Sequence, residues 1–175
     1  MPARKTGCFS SWGAGKLRGP AHPAPDRINP NPFPMLNALA HLNALAVLGT
    51  AVIGFLLGWL WYSPVLFAKP WMAEMKLTPD SMKGMGGGAM AQLFATGFAY
   101  TLLSTLALAA LLRAHGSAGA LKGAELGLFV GVLLVGTRLL NGGLWEQRTR
   151  KLQAITVGHE VALFTLQGAI LAVWN

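Results

Sequence analysis

Apolar residues run along this chain in four long blocks, not in the alternation of half-buried strands. The first block, Leu42 to Ala68, contains no charged residue, and its core from Ala44 to Trp61 reads ALAVLGTAVIGFLLGWLW. A helix needs about 20 largely apolar residues to cross the hydrocarbon of a bilayer, and this block supplies them. A second uncharged stretch runs from Gly84 to Leu112 and is apolar from Ala89 onward. The third, Leu121 to Leu144, holds Glu125 near its start and Arg138 toward its end; the fourth, Leu152 to Trp174, holds the pair His159-Glu160. Lipid offers no hydrogen-bond partner to a backbone amide, so segments of this kind must bond internally as helices. The two-residue period of a membrane barrel strand is absent. The pattern predicts an all-α fold: an integral membrane bundle of four transmembrane helices, spanning about 42–66, 89–112, 121–144 and 152–174, behind a disordered N-terminal tail.

The tail, residues 1–34, holds seven of the ten prolines of the chain. Such a segment cannot bury a core, which is the basis for expecting disorder. The apolar run behind it is too long for the core of a cleaved signal, so retention as an anchor is expected. A native start at Met35, which would make the tail an artefact of gene-start assignment, fits the pattern equally well. Between the first two spans, Thr78-Pro79-Asp80 has the form of a helix start, with a capping hydroxyl, proline at the first position and an acid near the positive end. A short interfacial helix is expected there, broken by a flexible hinge at Gly84 to Gly88. Those glycines are not followed by Lys-Ser/Thr, so they do not make a phosphate-binding loop.

Small residues recur every fourth position in each span: Ala46, Thr50, Gly54 and Gly58; Gly97, Thr101, Thr105 and Ala109; Gly123, Gly127 and Gly131; Ala154, Gly158 and Ala162. That spacing aligns them on one helix face and lets a neighbouring backbone approach. Four such rows favour a packed bundle over independent anchors, whether they face one another or a second subunit.

Composition agrees with lipid as solvent: 11% of residues are charged and 53% hydrophobic, where a soluble domain carries about a quarter charged. The net charge of +8 is not a nucleic-acid footprint. Arg4, Lys5, Lys16, Arg18 and Arg27 lie in the tail, and the other basic residues flank apolar runs without a basic stripe or a binding motif. Cys8 is the only cysteine, so no intrachain disulfide forms. The ends of spans one and three share a membrane side, here termed the loop side, which carries Lys69, Lys76, Lys83, Arg148, Arg150 and Lys151. Arg27, Arg113 and Lys122 flank the opposite side, so the positive-inside rule puts the loop side in the cytoplasm. Counting the whole tail reverses that assignment.

The loop side also collects the unusual side chains. Span one ends in Trp61, Tyr62, Ser63, Pro64 and Phe67, followed by Lys69 and Trp71; span three ends in Asn141, Trp145, Glu146 and Arg148. The general explanation is an aromatic belt at headgroup level, with Pro64 ending or kinking the helix by restricting Ser63. The functional alternative is a binding face.

The string LGWLWYSPVLFAKPWM, Leu57 to Met72, resembles the signature of a family of small bacterial membrane proteins, domain of unknown function 1761. The resemblance rests on Gly58, Trp61, Tyr62, Ser63, Pro64, Phe67, Lys69 and Trp71, with Ala68 where the family usually has Gly. Glu146 and Arg148 match a later acidic and basic pair, and Gly158-His159 stands at a Gly-Tyr step. Covering about Leu36 to Trp174, the resemblance implies a four-helix membrane protein and names no activity.

Two charges lie within spans. Arg138 precedes Arg148 by about as many residues as Glu160 follows it, so a hairpin turning near Arg148 puts both at similar depth. A charge deep in a bilayer costs about 2.5–3.5 kcal/mol on insertion scales and seeks a partner or water. An Arg138–Glu160 pair with His159 nearby is one expectation; Arg138 snorkelling to the headgroups and Glu160 protonated or hydrated is the other. No nucleophile elbow, His-Glu-x-x-His or paired-histidine ligand spacing occurs, so no catalytic, metal or cofactor site is expected. Two functions remain open. One is a small-molecule or ion permease lined by Arg138, Asn141 and Glu160, working as a homo-oligomer. The other is a non-enzymatic module that binds lipid headgroups or a partner membrane protein through Trp61, Tyr62, Trp71, Trp145 and Arg148. Expected surroundings are the lipids of a bacterial cytoplasmic membrane, with no nucleic acid.

Overall fold

A computed structural model describes residues 34–78, 80, 84 and 86–174; the tail readings, including Cys8, lie outside these residues. Among the described residues all regular structure is helical, and four helices are long and apolar enough to cross a membrane: Ala44–Trp61, Gly87–His115, Ala120–Trp145 and Arg150–Trp174. Many large apolar side chains lie on the outer surface. Leu45, Leu56, Leu93, Leu103, Phe129, Leu134 and Val173 are all exposed, as expected of a bundle whose solvent is lipid.

Helix α1 (Pro34–Ala40) is a short lead-in packed on the second span. Helix α2 (Ala44–Trp61) is the first span. Asn43 caps it, its side-chain oxygen accepting from the amides of Leu45 at 3.1 Å and Ala46 at 3.2 Å. Its amide group also reaches the Trp174 carbonyl at 3.4 Å, joining the start of span one to the end of span four. The helix ends one residue before Tyr62, and Pro64 follows in a turn closed by Phe67 N–H to Trp61 C=O at 3.1 Å. Pro64 thus ends the helix; it does not kink it.

Helix α3 (Ala68–Glu74) lies earlier than the interfacial helix expected at Thr78. Pro70 sits in its first turn, where a missing N–H costs nothing. Most of the expected helix, including Pro79, lies outside the described residues. Helix α4 (Gly87–His115) is span two and begins inside the glycine run read as a hinge, so Gly87 and Gly88 are helical. At 1.5 Å per residue it is about 43 Å long, more than the hydrocarbon requires. It closes at Gly116 (φ 71°), with Gly116 N–H to Arg113 C=O and Ser117 N–H to Leu112 C=O, the paired bonds of a left-handed glycine cap.

Span three is not a uniform helix. Helix α5 (Ala120–Phe129) passes into a π-helical segment, Val130–Gly136, before helix α6 (Thr137–Trp145). The wide turn loosens the carbonyl ladder, and the Thr137 hydroxyl donates to the carbonyls of Leu133 at 2.6 Å and Leu134 at 3.3 Å. Helix α7 (Arg150–Trp174) is span four; Thr149 starts it by accepting from Leu152 N–H at 3.2 Å.

Span four is the hub: α2, α4 and α5 all pack on it, while spans two and three barely meet. The row Gly123, Gly127, Gly131 faces it at backbone distance. A Cβ on Gly123 would overlap the Gly168 carbonyl oxygen, and one on Gly127 the Phe164 carbonyl oxygen. The partner row on span four is therefore Val161, Phe164 and Gly168, not Ala154, Gly158 and Ala162. Ala46, Thr50 and Gly54 of span one are buried, with Gly54 against Leu163 and Gln167 of span four. An apolar cluster of Val47, Leu108, Ala109, Leu112, Val130, Phe164 and Leu171 fills the half of the bundle away from the loop side.

Candidate functional site

Where α2 ends, its last turn is clamped to span four. The Trp61 indole N–H donates to the Ile155 carbonyl at 3.1 Å, and its ring lies over Gly158, where a Cβ would stand 3.3 Å away. Phe67 folds back on Trp61 with ring centroids 4.8 Å apart. Tyr62 packs against Trp71 at 5.3 Å and His159 at 5.2 Å. The aromatic motif therefore builds a wall around one imidazole. His159 sits between Trp61 and Tyr62 and has a side chain only 11% exposed.

The His159 Nδ1 lies 3.1 Å from Glu160 Oε1. In the tautomer that donates from Nδ1 to the carboxylate, Nε2 is an acceptor. Nε2 is buried and has no hydrogen-bond partner among the described residues. It faces Gly58, where a Cβ would stand 3.2 Å away, so the glycine makes the room that the ring occupies.

Beside His159 a groove of about 640 Å³ opens between spans one, two and four. Its walls are mostly apolar, with Phe55, Trp59, Met90, Leu93, Phe94 and Leu163. Ser63, which lines it, buries a hydroxyl oxygen with no partner. At the inner end, behind Gly54, Gln167 is fully buried and donates to the Thr105 hydroxyl at 2.8 Å, while its carbonyl oxygen has no partner. Thr50, fully buried one turn deeper along α2, has an unpaired hydroxyl as well.

The structure thus gathers Trp61, Tyr62, Ser63, Pro64, Phe67 and Trp71 near the groove and leaves Lys69 exposed outside its lining. Asn141, Trp145, Glu146 and Arg148 form a separate group at the end of span three and do not line it. There Trp145, 85% exposed, donates to Asn141 Oδ1 at 3.1 Å, and Arg148 pairs with Glu146. A second, more open groove lies between α6 and α7, headed by Arg148 and Arg150 over Leu140, Leu144 and Val157.

The expected Arg138–Glu160 pair does not form. Arg138 is exposed and has no ion-pair partner among the described residues, and Glu160 is bonded to His159. Chain distance fixes depth, but the face a residue presents depends on helical phase. Each residue taken up by the π-helical turn rotates the remainder of the helix by about 100°. The set of His159, Gln167, Thr105 and Thr50 is not evident in the sequence; the trace it leaves there is Gln167, the one amide in the second half of span four, set opposite Gly54.

A family model described as protein of unknown function, DUF1761, matches residues 45–172. The chain belongs to this family. The matched region contains the loop-side aromatic motif, nearly the whole of all four spans, the groove and the His159–Glu160 pair. No curated protein and no solved structure matches.

Proposed function

We propose that this DUF1761 protein is a small carrier of the bacterial cytoplasmic membrane, taking a molecule from the loop side, which the flanking charges make cytoplasmic, toward the opposite face without catalysing its conversion. One observation carries this reading. Ser63 Oγ, His159 Nε2, Gln167 Oε1 and Thr50 Oγ1 are all buried without a partner among the described residues, and they run from the loop side to mid-bundle. Buried polar atoms are nearly always paired, so a set of unpaired ones in a single direction asks for a passenger or water. His159 and Gln167 are eight residues apart in one helix, about 12 Å of rise. Beyond Thr50 the apolar cluster around Leu108 and Leu171 closes the way. A polar half-path ending on an apolar closure is what a carrier open to one side requires, with the binding level near the middle of the membrane. Intramembrane ionisable groups such as Glu160 commonly mark such paths. Four spans make a small carrier, and a homo-oligomer is expected.

The test needs no known cargo. In a Cys8→Ser background, Ser63→Cys is expected to react with a membrane-impermeant maleimide added from the loop side. Thr50→Cys is expected to react with the same reagent from the opposite side, because a carrier must open the closed half in turn. Reaction of Thr50→Cys from neither side, or from the loop side alone, would overturn the carrier reading.

A second reading has its own observation. Trp145 and the groove under Arg148 and Arg150 suit a non-transporting module that binds lipid headgroups or a partner membrane protein at the loop side. Loss of function on Glu160→Gln with assembly intact favours the carrier; loss on Trp145→Ala with Arg148→Gln, and none on Glu160→Gln, favours the module.

A further inference from the structure

We infer that the groove takes a neutral, lipid-soluble molecule bearing one hydroxyl group, which reaches it sideways from the loop-side leaflet of the bilayer. This rests on the carrier reading for the fate of the molecule, and on the groove alone for its chemistry.

The direction of access follows from the rim. Trp59 is 67% exposed, Leu93 57% and Phe94 50%, and all three line the groove within apolar spans. In a bilayer such side chains face acyl chains, not water, so the mouth opens to lipid. The volume, about 640 Å³, lies within the range of roughly 300–1,000 Å³ usual for small-ligand pockets. The body of the ligand must be apolar to match Phe55, Met90, Phe94 and Leu163.

Its head is defined by what the groove leaves unpaired. Among the described residues, the only titratable side chains lining it are Tyr62 and His159, and the charge that faces His159 is Glu160, already bonded to it. No described lysine or arginine lines the groove, so a carboxylate or phosphate would lie there without a counter-charge, at a high desolvation cost. Ser63 Oγ can donate and accept, and in the tautomer that donates from Nδ1 to the Glu160 carboxylate, His159 Nε2 accepts. A single hydroxyl has the matching chemistry for both: it can donate to His159 Nε2 and accept from the Ser63 hydroxyl. An ether cannot donate to the imidazole, and a hydrocarbon leaves both atoms unpaired.

The experiment uses bromine quenching of tryptophan fluorescence, since Trp59 and Trp71 line the groove. Full-length protein in lipid nanodiscs is titrated with 11-bromoundecanol, its methyl ether and 11-bromoundecanoate, each compared at equal concentration in the membrane. The alcohol is expected to show a saturable component at least about tenfold tighter than the ether, the cost of leaving a buried acceptor unpaired. The acid is expected to show none. His159→Leu should abolish the component, and Ser63→Ala, which disturbs packing less, should weaken it by about threefold or more while the thermal midpoint holds. Equal non-saturating quenching by all three, or stronger saturation by the acid, would overturn the inference. So would full binding of the alcohol by both variants. Saturable alcohol binding alongside an unreactive Thr50→Cys would retain the ligand class and reject transport; a reactive Thr50→Cys without alcohol binding would do the reverse.

Discussion

Replacing Gly127 by alanine probes the contact on which the bundle most depends. A Cβ at this position would overlap the Phe164 carbonyl oxygen and stand 2.8 Å from the Phe164 carbonyl carbon and 3.1 Å from Thr165 Cα. All three obstacles are backbone, so no rotamer change relieves them and the two helices must move apart. Overpacking that side chains can absorb costs about 1–3 kcal/mol, which puts a backbone clash near the upper end of that range. Alanine returns about 0.8–1 kcal/mol of helix propensity, leaving a net loss of about 2 kcal/mol. Gly142 is the control: it is helical, and nothing lies within 4 Å of an added Cβ. Gly142→Ala should therefore gain up to about 1 kcal/mol, a separation of about 3 kcal/mol between two chemically identical changes. Unfolding in mixed micelles of increasing dodecyl sulfate content, followed by circular dichroism, measures both. Gly127→Ala as stable as Gly142→Ala would refute the close crossing of spans three and four.

Two further experiments test the loop-side clamp and the intramembrane charges. Trp61→Phe keeps the ring against Phe67 but loses the bond to the Ile155 carbonyl, and should cost about 0.5–1.5 kcal/mol in the same assay; no loss would place the indole N–H elsewhere. Arg138→Gln and Glu160→Gln should be additive within about 0.3–0.5 kcal/mol, because Glu160 is bonded to His159 and Arg138 is exposed; a larger coupling would restore the Arg138–Glu160 pair.

The four spans are readable from the chain because lipid forces a simple rule, length and apolarity together, on every segment that crosses it. The small-residue row of span three is readable for a related reason: glycines at Gly123, Gly127 and Gly131 have little use except close approach. Its partner is not, since Phe164 lends only its backbone to the contact and leaves no small-residue signal. The π-helical turn at Val130–Gly136 shifts the phase of everything after it, Arg138 included, and its apolar residues read as ordinary helix. The aromatic motif at Trp61 and Tyr62 marks the end of the bundle where the groove opens, yet not the imidazole it encloses. A lone histidine or glutamine in an apolar span shows its value only once the facing residues, here Gly58 and Gly54, are known.

On the carrier reading, polar atoms along α2 and α7 are kept unpaired for a passenger and not for the fold. Thr50→Val tests it most directly, since valine preserves the shape and removes only the buried hydroxyl. An unpaired buried hydroxyl costs about 1–3 kcal/mol, so the variant should be as stable as the parent or more stable by up to that amount. A Thr50→Val protein destabilised by more than about 1 kcal/mol would show that the hydroxyl serves a structural bond, and would contradict the polar path.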